Sequence, residues 1–227
     1  MRSANRDRPD HRSTALRAVT AVLLIAALLV LPVSANSVVY AVSEDGSTLF
    51  AEASLVNQSG YLLMSPGFIG EGGELKANNV TLTAENGTVV NTTKKNSMEL
   101  TFPEGNYTLT YDAPIDGNLI YAQYLVPFNT TVLLPPEFHT NNLILGPVRD
   151  GGVTYTGDEA AALLEEMSVD SANYGTVVVW TESKDVEMRF YPVSYDTFFP
   201  IFVVVWLVIF GIAGYRYWRL RRKPIYP

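Results

Sequence analysis

The chain has 227 residues, no cysteine, two histidines and a formal net charge of −7. Without cysteine there is no disulfide, no thiol nucleophile and no thiolate zinc site, and one histidine beyond residue 35 rules out a His-pair metalloprotease site. Residues 36–197 hold 21 Asp and Glu against six Lys and Arg, a local charge of −15 that repels nucleic acid and anionic lipid and attracts cations or basic partners.

The first 35 residues read as a signal peptide. Arg2, Arg6, Arg8, Arg12 and Arg17 precede an uncharged apolar run, 18–33, which closes on Val33-Ser34-Ala35. Sixteen apolar residues are short for a membrane span but suit a signal hydrophobic region, and small residues are what a signal peptidase reads. The mature chain is then expected to start near Asn36. No twin-arginine pair occurs in this segment and no cysteine follows it, so neither folded export nor lipid modification is indicated.

Residues 36–196 form the expected extracytoplasmic domain. VVYAV (38–42), TLFAEASLV (48–56), NVTLTA (79–84), SMELTF (97–102), NYTLTYD (106–112), LIYAQYLV (119–126), TTVLLP (130–135), TVVVWTE (176–182) and VEMRFYP (186–192) are rich in β-branched and aromatic residues, with Gly, Pro, Asn and Asp between them. That spacing predicts a mainly β domain, an antiparallel β-sandwich. One helix is expected to begin at Gly157, Asp158 or Glu159, with Leu163, Leu164 and Met167 on one side and Glu165 and Glu166 in water. Gly-rich stretches at 67–73 and 146–152 read as loops, the second marking a sub-boundary near 146–157. The scattered carboxylates read as a solvated surface rather than a binding patch.

Six Asn-X-Ser/Thr sequons occur, at Asn57, Asn79, Asn86, Asn91, Asn106 and Asn129, where chance composition predicts about two. Strand alternation puts Tyr107, Leu109 and Tyr111 on one face and Asn106 on the other; likewise Val80, Leu82 and Ala84 point inward and Asn79 outward. All six precede Val132, so 132–196 is expected to be bare of sugar and free to dock a membrane-protein or envelope partner.

Candidate chemistry is sparse. His139, in PPEFHTNN, is the sole base available to a Ser-His-Asp triad; no Gly-X-Ser-X-Gly elbow presents a serine, and His139 reads as a loop residue. GFIGEGGEL lacks the Gly-Lys-Ser/Thr ending of a phosphate loop. Asp112 and Asp116 in YDAPIDGN are candidate calcium ligands, although their spacing matches no EF-hand and Asp-Gly-Asn is an ordinary turn. A glycosidase needs two carboxylates, and nothing nominates a pair. No catalytic residue, metal or cofactor is therefore assigned, and the chain reads as a non-enzyme.

From Thr197 to Tyr215 nineteen residues carry no charge, enough for a helix of roughly 28 Å across a bilayer's hydrocarbon core. Aromatic residues flank this run, and Pro200 is expected in its first turn. Arg216, Arg219, Arg221, Arg222 and Lys223 follow without an acidic residue after Asp196. Such a cluster stops transfer and holds a basic tail, 216–227, on the cytoplasmic face. Gly211 and Gly214 are three apart, one short of the spacing of a close-packing glycine pair.

FPEGNYTLTY (102–111) resembles the Pro-x-Gly-x-Tyr-x-Leu hairpin of transthyretin-like and carboxypeptidase-regulatory-type β-sandwich domains. More broadly, GNYTLTYDAPIDGN, TTVLLPPEFHTNNLILGPV, VVVWTESKDVEMRFYP and the apolar run, in that order, resemble an uncharacterised family of archaeal, membrane-anchored exported proteins from Gly105 to the C-terminus. That resemblance implies a β-sandwich-like ectodomain and no assigned activity, so it transfers no site. Members of that family often begin as lipoproteins, which this cysteine-free chain does not.

The function these features predict is a single-pass cell-surface protein, in contact with membrane lipid. It would be a non-enzymatic accessory or structural component of the envelope or of a membrane complex. The alternative is an adhesive or ligand-binding module that takes calcium, or polysaccharide through exposed aromatics at Tyr121, Tyr124, Trp180 and Tyr191.

Overall fold

The structure, a computed structural model of the chain, describes residues 35–63, 77–95 and 98–221. The expected signal peptide, the 67–73 loop, Arg222 and Lys223 lie outside the described residues. Among these described residues, eleven strands and two helices follow in order. They are β1 (Ser37–Val42), β2 (Thr48–Leu62), β3 (Asn78–Ala84), β4 (Val89–Val90), β5 (Thr93–Lys94), β6 (Glu99–Pro114), β7 (Leu119–Leu134), β8 (Phe138–His139), β9 (Val153–Thr156), α1 (Gly157–Glu166), β10 (Thr176–Arg189), β11 (Tyr191–Pro192) and α2 (Ser194–Arg221). The chain is mainly β, with one C-terminal helix long and apolar enough to cross a membrane.

Nine strands share one hydrogen-bonded sheet, ordered β4-β3-β6-β2-β1-β7-β10-β9 with β5 beside β6, while β8 and β11 pair separately. The pairings are antiparallel except β1–β7, which is parallel. That exception departs from the all-antiparallel expectation. It arises because β1 lies between β2 and β7, so the two long hairpin systems meet across it.

Three breaks expected from sequence are absent. ELTF of the fourth expected strand and NYTLTYD are one strand, as are LIYAQYLV and TTVLL, and TVVVWTE runs into VEMR. Proline and glycine there mark bends rather than ends. The β2–β6 register shifts between Leu55, Gln58 and Gly60, and the β7–β10 register shifts between Trp180, Ser183 and Asp185. Pro103 falls between the stretches of β6 that pair β5 and β3, and Pro127 falls in the β7–β10 shift before β1 begins. At neither place does a ladder require the missing N–H. The Pro-x-Gly motif is therefore a mid-strand bend, not the turn of a hairpin. Its glycine leaves room for a ring, since a Cβ on Gly105 would sit 2.9 Å from the Tyr107 hydroxyl.

These bends turn the long strands back over their own sheet. Phe138, four residues beyond β7, packs edge-on against Phe190, and the Phe190 N–H donates to the carbonyl of Asn118, just before β7 starts. Both ends of β7 thus reach the same end of the body, which also holds the β1–β2 turn, because Ile115 N–H donates to Ser47 O. The register shifts of β2–β6 and β7–β10 lie at the opposite end.

Between the layers lies the main core, including Leu49, Leu82, Leu109, Val132, Val178 and Trp180. It contains a polar chain. Thr130 Oγ1 donates to Tyr124 Oη at 3.0 Å, Tyr124 donates to Tyr40 at 3.2 Å, and Tyr40 and Tyr61 hydroxyls lie 3.3 Å apart. Burial first, with the neighbouring phenols, raises Tyr40 and Tyr61 well above the ordinary tyrosine range, so the chain stays neutral. Tyr61 also packs edge-on against Phe128, with centroids 5.8 Å apart, past the N-terminal end of β1. Satisfied buried hydroxyls of this kind hold one register, because a slipped strand would orphan them.

The other sheet face is covered by α1. Ala160 and Leu164 pack on Val39, Ala41, Leu133 and Val177, with Leu163 and Met167 at the margin and Glu165 and Glu166 exposed. This is the face the sequence predicts. Ser168, at φ 56°, ends the helix, and Val169 N–H donates back to Leu164 O. Segment 146–157, marked in the sequence as a sub-boundary, runs on as the edge of the same sheet through Val148 and β9.

The second helix starts at Ser194 and runs to Arg221, with no buried residue. Pro200 is consequently inside the helix rather than in its first turn, because the helix begins three residues before the uncharged run. The carbonyl four residues back, on Asp196, loses its helical partner there.

Candidate functional site

The site with most chemistry is the junction between the body and α2. β11 follows β10 after one residue and pairs with β8, setting Tyr191 opposite His139 and Pro192 opposite Phe138. Val193 N–H donates to Glu137 O, and Asp196 N–H to Val193 O, so the first turn of α2 is tied to this short ladder. His139 Nδ1 lies 2.6 Å from Asp196 Oδ2, and Tyr191 Oη donates to Asp196 Oδ1 at 2.9 Å. The His139 and Tyr191 rings meet edge-on. Burial, then the hydrogen bond and charge of Asp196, push the Tyr191 phenol up to about 12, so it remains a donor at any physiological pH.

His139 is thus a strand residue that grips a carboxylate, not the loop histidine expected. Among the described residues no serine hydroxyl bonds its ring, and the contacts it does make clamp Asp196 and face Tyr191. Asp196 also sits in the first turn of a helix, where a negative charge complements the backbone dipole. No local pattern could reveal this trio, since His139 and Asp196 are 57 residues apart.

Sequence reasoning also missed Glu52. It is 8% exposed, and its Oε2 has no hydrogen-bond partner. Ala51 and Ala53 point into the main core, so Glu52 faces the opposite side, beside Val39 on β1 and Thr110 on β6. Burial pushes its carboxyl up to about 7. Strand alternation in AEASL is the signal that could have placed it.

The proposed polysaccharide aromatics do not form a surface. Tyr124, Trp180 and Tyr191 are buried, and Trp180 Nε1 donates to Arg149 O at 2.7 Å; Tyr121 alone of the four keeps a partly open face. They face inward because strand aromatics supply most of this core. Asp112 Oδ2 accepts the Asn79 amide at 2.6 Å, while Asp116 opens an exposed turn whose Gly117 and Asn118 are left-handed at φ 58° and 54°. Among the described residues no group of three His, Cys, Asp or Glu is placed to hold a metal ion. An open concavity of about 650 Å³ beside α1 is lined by Asp158, Glu165 and Asp170 with Ala161, Ala162 and Val169.

Of the sequon asparagines, Asn57, Asn79, Asn86, Asn91 and Asn106 are exposed and Asn129 is half-buried. Four lie at the bulge end of the body. Asn57 N–H donates to Asn106 Oδ1, Asn106 Nδ2 donates to Glu85 beside Asn86, and Asn129 Oδ1 accepts from Glu182 N–H. In the basic cluster Arg216, Arg219 and Arg221 occupy the last turns of α2, which extends past the Tyr215 expected from the uncharged run.

A β body that carries, among the described residues, one exposed apolar helix defines the class of protein. Within that class, residues 34–224 match DUF5803, a family of unknown function, and the chain belongs to that family. No curated protein matches its sequence. Among solved structures, an aminopeptidase N family protein from Idiomarina loihiensis is similar at 11% identity and a TM-score of 0.37, over 68% of this chain and 29% of that one. The chain therefore spans under a third of that protein's length.

Proposed function

We propose that this chain is a single-pass cell-surface protein whose sandwich-like β body stands outside the membrane and whose basic tail stays in the cytoplasm. It serves as a non-enzymatic accessory or structural component of the envelope or of a membrane complex. The observation that carries the reading is the polarity of the body: α2 departs from one end, and four of six sequons gather at the other. Sugars would then stand away from the bilayer, leaving 132–196 bare for a partner. The junction supports the same role, because His139, Tyr191 and Asp196 are engaged in fastening the helix. Export through an N-terminal signal and an archaeal cell surface belong to this proposal.

Gentle detergent extraction from the native membrane, followed by native mass measurement, tests it. A stable co-purifying membrane or envelope protein is the expected result. A lone or self-associated chain would overturn the accessory role, and an intact mass free of glycan would remove the glycoprotein part.

A further inference from the structure

The loop between β8 and β9 carries two of the most exposed aliphatic side chains of the β body. Leu143 is 96% exposed and Ile144 is 71% exposed. Nothing about the loop is slack. Asn142 Oδ1 accepts both Ile144 N–H at 3.0 Å and Leu145 N–H at 3.1 Å, and Asn142 and Gly146 exchange both backbone hydrogen bonds. Thr140 Oγ1 donates to the carbonyls of Gly146 and Arg189. A fold that spends this many bonds on a tight turn and leaves its two aliphatic residues in solvent presents them to something.

The register says where they point. Val148 stands opposite Met188, and Arg189 N–H donates to Pro147 O. The pairing is antiparallel, so the chain traced from Val148 back to Gly146 advances alongside Met188 and Phe190 toward the start of α2. Gly146 itself lies against Tyr191, where a Cβ would come within 2.7 Å of the ring. Asn142 pairs with Gly146, so the turn carrying Leu143 and Ile144 continues from Gly146 and Tyr191 in that direction, toward the start of α2.

We propose that Leu143 and Ile144 insert into the interfacial layer of the leaflet where α2 meets the membrane, giving the body a second point of attachment. The proposal rests on the reading that α2 spans the bilayer. The occupant is lipid because the turn is directed toward the head of α2 and is uncharged. From Phe138 to Val148 the sequence FHTNNLILGPV holds no acid or fixed cation in a strongly acidic domain. Tyr195 and Phe198, exposed at the head of α2, suit an interface. The surrounding end also carries Asp45, Asp116 and Glu137, so attraction to anionic headgroups cannot supply the contact. Apolar insertion has to supply it. Two attachment points would stop the body from swivelling about α2, and would fix which face of 132–196 turns to a neighbour in the membrane.

The absence of cysteine makes the test direct. Single-cysteine variants Leu143→Cys, Ile209→Cys and Val89→Cys of the full chain are labelled with an environment-sensitive fluorophore. They are reconstituted in phosphatidylcholine vesicles that contain a lipid quencher placed either near the headgroup or deep in the acyl chain. The proposal expects blue-shifted emission and headgroup-level quenching at position 143, deep quenching at 209, and neither at 89. Deep quenching at 209 with water-like, unquenched emission at 143 would overturn the insertion while leaving the anchor intact. Loss of quenching at 209 would instead remove the anchor, and the insertion with it. Because Leu143 is almost fully exposed, the substitution leaves the core untouched.

Discussion

Glu52 shows how much one side chain can set. Its carboxyl holds a proton up to about 7 in the fold, against an ordinary 4.5, because burial disfavours the charge. The folded state therefore binds more protons than the unfolded state between those values, and unfolding releases them. Stability declines as pH rises through that window and is level above it. Glu52→Gln removes the ionisable group. It should melt like the native chain below pH 4.5 and be more stable above pH 7, by roughly 1–3 kcal/mol. Identical melting of the two proteins at both pH values would mean that the carboxylate finds water or a cation that relieves its burial. The His139–Asp196 pair lies at the other extreme. Its side chains are 43% and 40% exposed, so solvent screens them. A double-mutant cycle with His139→Ala and Asp196→Ala should give a coupling of only about 0.5–1 kcal/mol. A much larger coupling would show that the clamp, rather than the packing of Tyr191 and Phe138, carries the junction.

At the scale of elements, the strands were legible and their continuity was not. NVTLTA, VVYAV and the alternation that buries Leu109 and Tyr111 fall where the pattern puts them. Pro103, Pro127 and the Glu-Ser-Lys-Asp run read as breaks because a local window cannot know which backbone groups a neighbour needs. In the fold those residues sit where registers shift, and a strand passes through by bending. The turn before β9 depends equally on a neighbour. A Cβ on Gly152 would lie 2.5 Å from both Trp180 and Val148, and the Trp180 indole is pinned by its bond to Arg149 O. Gly152→Ala should therefore destabilise the protein by about 1–3 kcal/mol in thermal melting. An unchanged melting temperature would mean that the 149–152 turn moves freely with the edge strand. The helix α1 was read correctly because its period, its acidic start and its apolar side all lie within ten residues.

For the whole molecule, the proposed orientation of the chain makes a direct labelling prediction. With no cysteine to interfere, Val89→Cys at the distal edge and Leu220→Cys at the C-terminal end of α2 would report opposite sides under the proposed orientation. An impermeant maleimide applied to intact cells should label position 89 and spare position 220. Labelling of 220 alone would invert the orientation, and labelling of both would argue against a single span. Residues 35–63 and 98–134 build both layers, so the body and its junction are expected to unfold together and not piecewise.

The sequence by itself determined the mainly β class, the position and face of α1, the apolar C-terminal helix and the location of the sequons. Each of these is a pattern of composition or period within a few turns of chain. Only the tertiary structure decided that the long strands double back, that β1 and β7 run parallel, that Trp180 and Tyr124 are core, and that His139, Tyr191 and Asp196 meet. It also decided that the turn carrying Leu143 and Ile144 rises from Gly146, against Tyr191. Those facts depend on contacts between residues tens of positions apart, and on which buried groups find partners when one sheet covers itself. Local periodicity carries no record of either.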